Sequence, residues 1–181
     1  MDHPVEPAGH RQGSEILRER PVILLTVGTQ LPFDRLVDIV DRVAPDTGEE
    51  VFGQIGKSTL SPRNFTFQEN LPPRDFESKI TSARVLVSHA GIGSILTARK
   101  YNKPIILFPR LAAHNEHRND HQLATCAQLK TQAGIYVATD EGELRALLMD
   151  KGLVSGSEDP DAAVKRRQLT DAIGAFIGGG A

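Results

Sequence analysis

The sequence has no tryptophan, two tyrosines, two methionines and a single cysteine in 181 residues. One cysteine, Cys126, excludes an intrachain disulfide and any zinc site built on cysteine ligands. It falls in a helical pattern with Leu123, Ala127 and Leu129, the place of a buried structural thiol, which fits a reducing compartment. So few aromatic rings leave little for bases to stack on, and a formal net charge of −2 makes no basic footprint. Nucleic acid is therefore not an expected partner. No apolar run approaches the ~20 residues that a transmembrane helix requires. Residues 1–20 are rich in charge and have no apolar core of a signal peptide. The expectation is a cytoplasmic protein whose membrane contact is peripheral or made through a partner.

What the chain does have is alternation. Pro21 to Val27 is a continuous apolar run rich in β-branched residues, the pattern of a strand buried on both faces of a parallel sheet. Pro32 opens a helix with Phe33, Leu36, Val37, Val40 and Val43 on one face. Strands are expected at Glu50 to Ile55, Asn64 to Gln68, 84–87, 104–108 and Gly134 to Ala138. Helices are expected from Pro72 with Phe76 and Ile80 inward, at 92–102, at 116–131, and after a Thr139-Asp140-Glu141 cap with Leu144, Leu147 and Leu148. Strands alternating with helices predict an α/β fold, a Rossmann-like doubly wound parallel sheet. The expected organisation is a flexible arm over 1–20, a folded domain over 21–150, and a linker and carboxyl-terminal helix or tail over 151–181.

The stretch from Arg84 to Gln122 gathers the polar chemistry. A strand runs into the turn Ser88-His89-Ala90-Gly91-Ile92-Gly93-Ser94, then a helix, a second strand and a loop dense in His, Arg, Asn, Asp and Gln. Open α/β sheets bind ligands at the carboxyl ends of such strands. Glycines let a backbone approach a ligand closely, and the free N–H groups at a helix start attract phosphate. The same glycines would also serve a plain tight turn, with His89 as its cap. Gly28-Thr29-Gln30 closes the first strand on the same edge, either facing a diphosphate or forming a simple turn.

In the loop, Asp120 and Gln122 suit sugar hydroxyls, while His117 and Arg118 suit anionic oxygens. A solvated helix start is one alternative. A metal site is another, because His114, His117 and His121 have helix-compatible ligand spacing. Gly53 to Ser58 is two residues short of a P-loop, so ATP hydrolysis is not expected.

At VSHAGIGSI, KPIILFPR and EHRNDHQLA the chain resembles the carboxyl-terminal, donor-binding domain of GT-B glycosyltransferases of family 28. The opening TVGTQLPFDRLV and the element Asn70-Leu71-Pro72 carry the likeness across roughly residues 21–148. The group includes the peptidoglycan lipid-linked GlcNAc transferase and the soluble subunit of the dolichol-linked GlcNAc transferase. The resemblance is closest to single-domain subunits of bacterial exopolysaccharide glucuronosyltransferases. In these a membrane-associated chain supplies the acceptor-binding half.

The resemblance implies one half of a GT-B enzyme, a UDP-dependent hexosyltransferase needing a partner subunit. It implies a UDP-sugar donor, a lipid-diphosphate-linked acceptor, no cofactor and no obligatory metal. The chain would be cytoplasmic and peripheral at the inner membrane through its partner. Gly28, Thr29 and Gln30, with His89, Ala90, Gly91, Ile92, Gly93 and Ser94, would surround the donor, Gly91 to Ser94 facing the diphosphate. Asp120 and Gln122 would hold the sugar, and Arg110, His117 and Arg118 add positive character. An arginine reading a uronic-acid carboxylate would favour UDP-glucuronate. Thr97 stands where many relatives carry a ribose-gripping glutamate, so ribose recognition falls to a shorter neutral group or to another residue. His89 is the candidate catalytic base. The rival reading is a non-catalytic nucleotide-sugar-binding regulatory subunit, with a UDP-sugar epimerase of the same architecture behind it.

Overall fold

The structure, a computed structural model, describes residues 22–156. The expected amino-terminal arm and the carboxyl-terminal helix and tail lie outside that range. A single six-stranded sheet has the order β3-β2-β1-β4-β5-β6, with every pairing parallel. Its strands are β1 (Val22–Thr26), β2 (Glu50–Gln54), β3 (Thr66–Gln68), β4 (Ala83–His89), β5 (Ile105–Phe108) and β6 (Ile135–Val137). The helices are α1 (Asp34–Thr47), α2 (Pro73–Ser82), α3 (Ile92–Lys100), α4 (His121–Leu129) and α5 (Glu141–Met149). This is the Rossmann-like, doubly wound arrangement that the alternation predicts.

The two-sided strands explain the unbroken apolar runs. Ile23 and Leu25 of β1 pack toward α1 and α5, with Val40, Val43, Leu144 and Leu148. Val22 and Leu24 face the other way, into a second core with Ile80, Ile95, Ala98 and Cys126 from α2, α3 and α4. Burying each of the valine, leucine and isoleucine side chains contributes about 1.5–3 kcal/mol.

Local signals set the helix ends. Pro45 lies inside α1 and has no N–H to give the carbonyl of Asp41, and Asn64 Nδ2 donates to that carbonyl at 2.9 Å instead. The helix then ends at Gly48, in the left-handed conformation at φ +66°. Asp140 caps α5 by accepting the Glu143 N–H at 2.9 Å, while Glu143 accepts the Thr139 N–H at 2.7 Å.

One expected helix is shorter than the pattern suggests. In place of a helix over 116–131, α4 begins at His121, and a 3-10 turn spans Ala112–His114. The side chains between them are drawn backwards. Glu116 accepts from the Leu111 N–H at 2.9 Å, Asp120 from the Ala112 N–H at 2.9 Å, and Asn115 turns left-handed at φ +57°. These bonds fold 115–120 into a loop. Among the described residues no helix is long and apolar enough to cross a membrane.

Candidate functional site

The chain runs outward from β1 to β2 and β3, then crosses back to β4 on the other side of β1. The strand order reverses there, so the loops after β1 and β4 diverge and leave a crevice at the carboxyl ends. A cleft of about 450 Å³ opens at that point. The wall includes Gly28, Thr29, Gln30, His89, Gly93, Ser94, Thr97, Arg110, His117 and Gln122, all expected from the sequence.

Other candidates stay out of the wall. Ala90 is buried in the turn beneath the cleft, Gly91 packs on the His89 ring, and Ile92 is exposed. Arg118 and Asp120 are exposed on the 115–120 loop, and an Asp120 oxygen is already committed to the Ala112 N–H. His114, His117 and His121 do not share a helix, and the described residues contain no group of three or more His, Cys, Asp or Glu placed to hold a metal.

Thr26, Val27, Leu31, Gln54, Phe76 and Leu86 complete the wall and were not among the expected residues. Gln54 carries a legible signal, because a buried amide at the end of an otherwise apolar strand needs a partner. Its Oε1 lies 3.4 Å from the Leu71 N–H, which ties β2 to the entry of α2.

Gln122 is 9% exposed, and its Oε1 accepts from the Ala90 N–H at 3.2 Å and the Arg110 N–H at 3.0 Å. Both partners are donors, which assigns the oxygen and leaves the amide NH₂ for the cleft. Gln122 therefore joins the loops after β4 and β5 and presents donors to a ligand.

Ser88 Oγ is buried, 2.9 Å from the Thr26 carbonyl and 2.7 Å from Ser94 Oγ. Its single proton goes to the carbonyl, which can only accept, so Ser94 donates into Ser88. Thr97 Oγ1 likewise donates to the Gly93 carbonyl at 2.8 Å. Both hydroxyls turn lone pairs outward, and donating to a phosphate would cost each an existing bond.

His89 ends β4, with Nδ1 3.3 Å from Ser88 Oγ. Burial, aided by the charges of Arg110 and His117, pushes its pKa down to about 4. The ring is thus neutral at physiological pH and weakly basic. His117 Nδ1 lies 3.2 Å from the Asn119 carbonyl, so that nitrogen carries a proton and Nε2 faces away from it.

Arg110 is 3% exposed, and its guanidinium donates to the carbonyls of Val27, Leu31 and Pro32. It also lies 4.4 Å over the Phe33 ring. The Nη donors of Arg110 are thus committed to carbonyls, and Arg118 lies outside the described cleft wall. Arg35 donates twice to Glu116 at 2.7 and 2.8 Å and lies 4.6 Å over the Phe108 ring.

Gly53 to Ser58, the stretch short of a P-loop, turns away from this cleft apart from Gln54. The Ser58 and Thr59 hydroxyls donate to Asp34 at 2.6 and 2.5 Å, which holds that carboxyl below its usual range despite opposing burial.

Residues 22–148 match the glycosyltransferase family 28 C-terminal domain. The chain belongs to that family. A human relative, UDP-N-acetylglucosamine transferase subunit ALG13, is 28% identical over 130 residues, which is 65% of this chain and 11% of that protein. The solution structure of ALG13 superposes with a TM-score of 0.57 at 17% identity, covering 83% of this chain and 96% of that one. The glycotransferase of kitacinnamycin gives a TM-score of 0.56 at 17% identity, covering 92% of this chain and 42% of that one. The chain thus spans 11% of the human relative's length and 42% of the glycotransferase's. These structural likenesses support the GT-B-type Rossmann fold.

Proposed function

We propose that the chain is the donor-binding subunit of a split UDP-sugar glycosyltransferase. It would transfer a hexose or hexuronate to a lipid-diphosphate-linked acceptor in exopolysaccharide biosynthesis. The observation that carries this reading is the cleft at the β1/β4 switch point, where loop N–H groups, the Gln122 amide and two imidazoles converge. In a cleft of this kind, fixed dipoles stabilise the charge that grows on a departing diphosphate. The relative's description as a UDP-N-acetylglucosamine transferase subunit supports both the UDP-sugar donor and a second chain. That second chain would be the membrane-associated, acceptor-binding half, holding residues 21–150 at the inner membrane as the donor domain. UDP-glucuronate keeps its place as a donor through the resemblance alone, since no free arginine in the described wall favours it.

His89 is the candidate catalytic group on this chain. Its depressed pKa makes it a weak base, which favours either a base on the acceptor half or the rival reading of a non-catalytic regulatory subunit. Titration calorimetry of the protein with UDP, UDP-glucose, UDP-glucuronate, UDP-GlcNAc and NAD tests the donor assignment. Saturable binding of one UDP-sugar, with none of NAD, is the expected outcome. Sugar binding without transfer in the presence of the membrane-associated half would favour the regulatory subunit.

A further inference from the structure

Arg110 is a buried cation with no carboxylate at salt-bridge distance among the described residues. The Glu116 carboxylate is bonded to Arg35 and acts on Arg110 only at longer range, while the Glu116 carbonyl lies 3.5 Å from Arg110 Nη1. Burying a charge is costly unless other groups replace its water. Main-chain carbonyls do so here, with Nη2 donating to Val27 O at 2.8 Å and Leu31 O at 2.9 Å, and Nη1 to Pro32 O. These carbonyls bracket the loop after β1. Among the described residues, the N–H groups of Gly28, Thr29, Gln30 and Leu31 meet no acceptor. All four residues line the cleft.

The loop is also braced from its other side. A Cβ at Gly56, itself at φ +55°, would come within 2.6 Å of the Gly28 carbonyl, and one at Gly28 within 2.9 Å of His89 Cε1. The segment is therefore held by its carbonyls and by close contacts, and its donors remain unspent.

We propose that Arg110 is a positioning residue for diphosphate binding, holding the carbonyls of the β1–α1 loop so that the N–H groups of Gly28 to Leu31 serve the cleft. Its charge, offset only in part by the nearby Glu116, stands behind that loop and draws the anionic ligand. Arg110 thus acts on the diphosphate through the loop, which accounts for a guanidinium in the cleft wall whose Nη donors face carbonyls. The inference rests on the reading of the cleft as a UDP-sugar site.

Calorimetric titration of the full chain with uridine, UMP and UDP separates the possibilities. Arg110→Gln should weaken UDP binding by about tenfold or more and change uridine binding by less than about twofold. Arg110→Lys, which keeps the charge but cannot reach every carbonyl, should fall between. Equal losses for UDP and uridine, or no loss, would overturn the proposal while leaving the donor site standing. Failure of the unaltered protein to bind UDP would overturn the donor reading and this inference with it. In the unaltered protein, the amide resonances of Gly28 to Leu31 should shift with UDP and stay still with uridine, and amides indifferent to UDP would also sink the proposal.

Discussion

The Nε2 of His89 occupies the space that a Cβ at Gly91 would need, closer than side chains tolerate. The backbone at Gly91 is ordinary, with φ −94°, so contact with the ring and not conformational freedom selects glycine there.

Gly91→Ala should therefore swing the His89 ring out of place, at a cost of about 1–3 kcal/mol. Gly93→Ala, two residues on, meets nothing within 4 Å and lies inside α3. It should raise stability by up to ~1 kcal/mol, while its methyl narrows the cleft and weakens nucleotide binding. Thermal melts of the two variants should move in opposite directions. A Gly91→Ala protein with unchanged stability and His89 resonances would refute the contact.

Gln122 has two jobs that a single truncation confounds. Gln122→Ala leaves the Ala90 and Arg110 N–H groups without their acceptor and should cost roughly 2–4 kcal/mol. Gln122→Glu keeps that acceptor and replaces the cleft-facing NH₂ with negative charge. It should melt near the wild-type temperature yet lose UDP-sugar binding. A Gln122→Glu protein that binds normally would show that the amide donors are unused.

For His89, the folded pKa of about 4 lies below the ordinary 6.5. Between those values the unfolded chain holds more protons than the folded one, so stability falls as the pH drops through that window. The contribution of the neutral ring is complete above about pH 6.5. Denaturation midpoints at pH 7.5 and 4.5 should differ more for the wild type than for His89→Gln. Arg110→Gln should lift the His89 titration, followed by NMR, because one of the charges opposing protonation is gone.

Glu49 holds the opposite end of the sheet together. Its carboxylate is 3% exposed and receives Arg84 in bidentate fashion at 2.9 Å and Lys151 at 2.8 Å. Arg84 also donates to the carbonyls of Leu148 and Asp150 at 3.0 Å each. Glu49→Gln removes the anion from beneath two cations and should cost roughly 3 kcal/mol, read as a lower urea midpoint. Nucleotide affinity should not change, since the site lies at the other ends of the strands.

The layers, the element order and the position of the cleft are legible in local patterns. Apolar runs such as Val22 to Val27 and the spacing of Leu36, Val40 and Val43 are local patterns that only one secondary structure satisfies. The glycine turn after β4 is likewise a local demand, legible before any partner is known. Which groups line the cleft and which are bonded elsewhere depends on long-range contacts. Arg110 reads as a free cation until three carbonyls about 80 residues away claim it. Glu116 reads as the start of a helix until Arg35 draws it back. Asp120 gives one oxygen to the Ala112 N–H, a bond no local pattern announces, and Gln54 and Phe76 enter the wall only when β2 and α2 close beside β1. The physical reason is that a hydrogen-bonding group takes the best partner the fold brings to it, and chain periodicity carries no record of partners from distant segments.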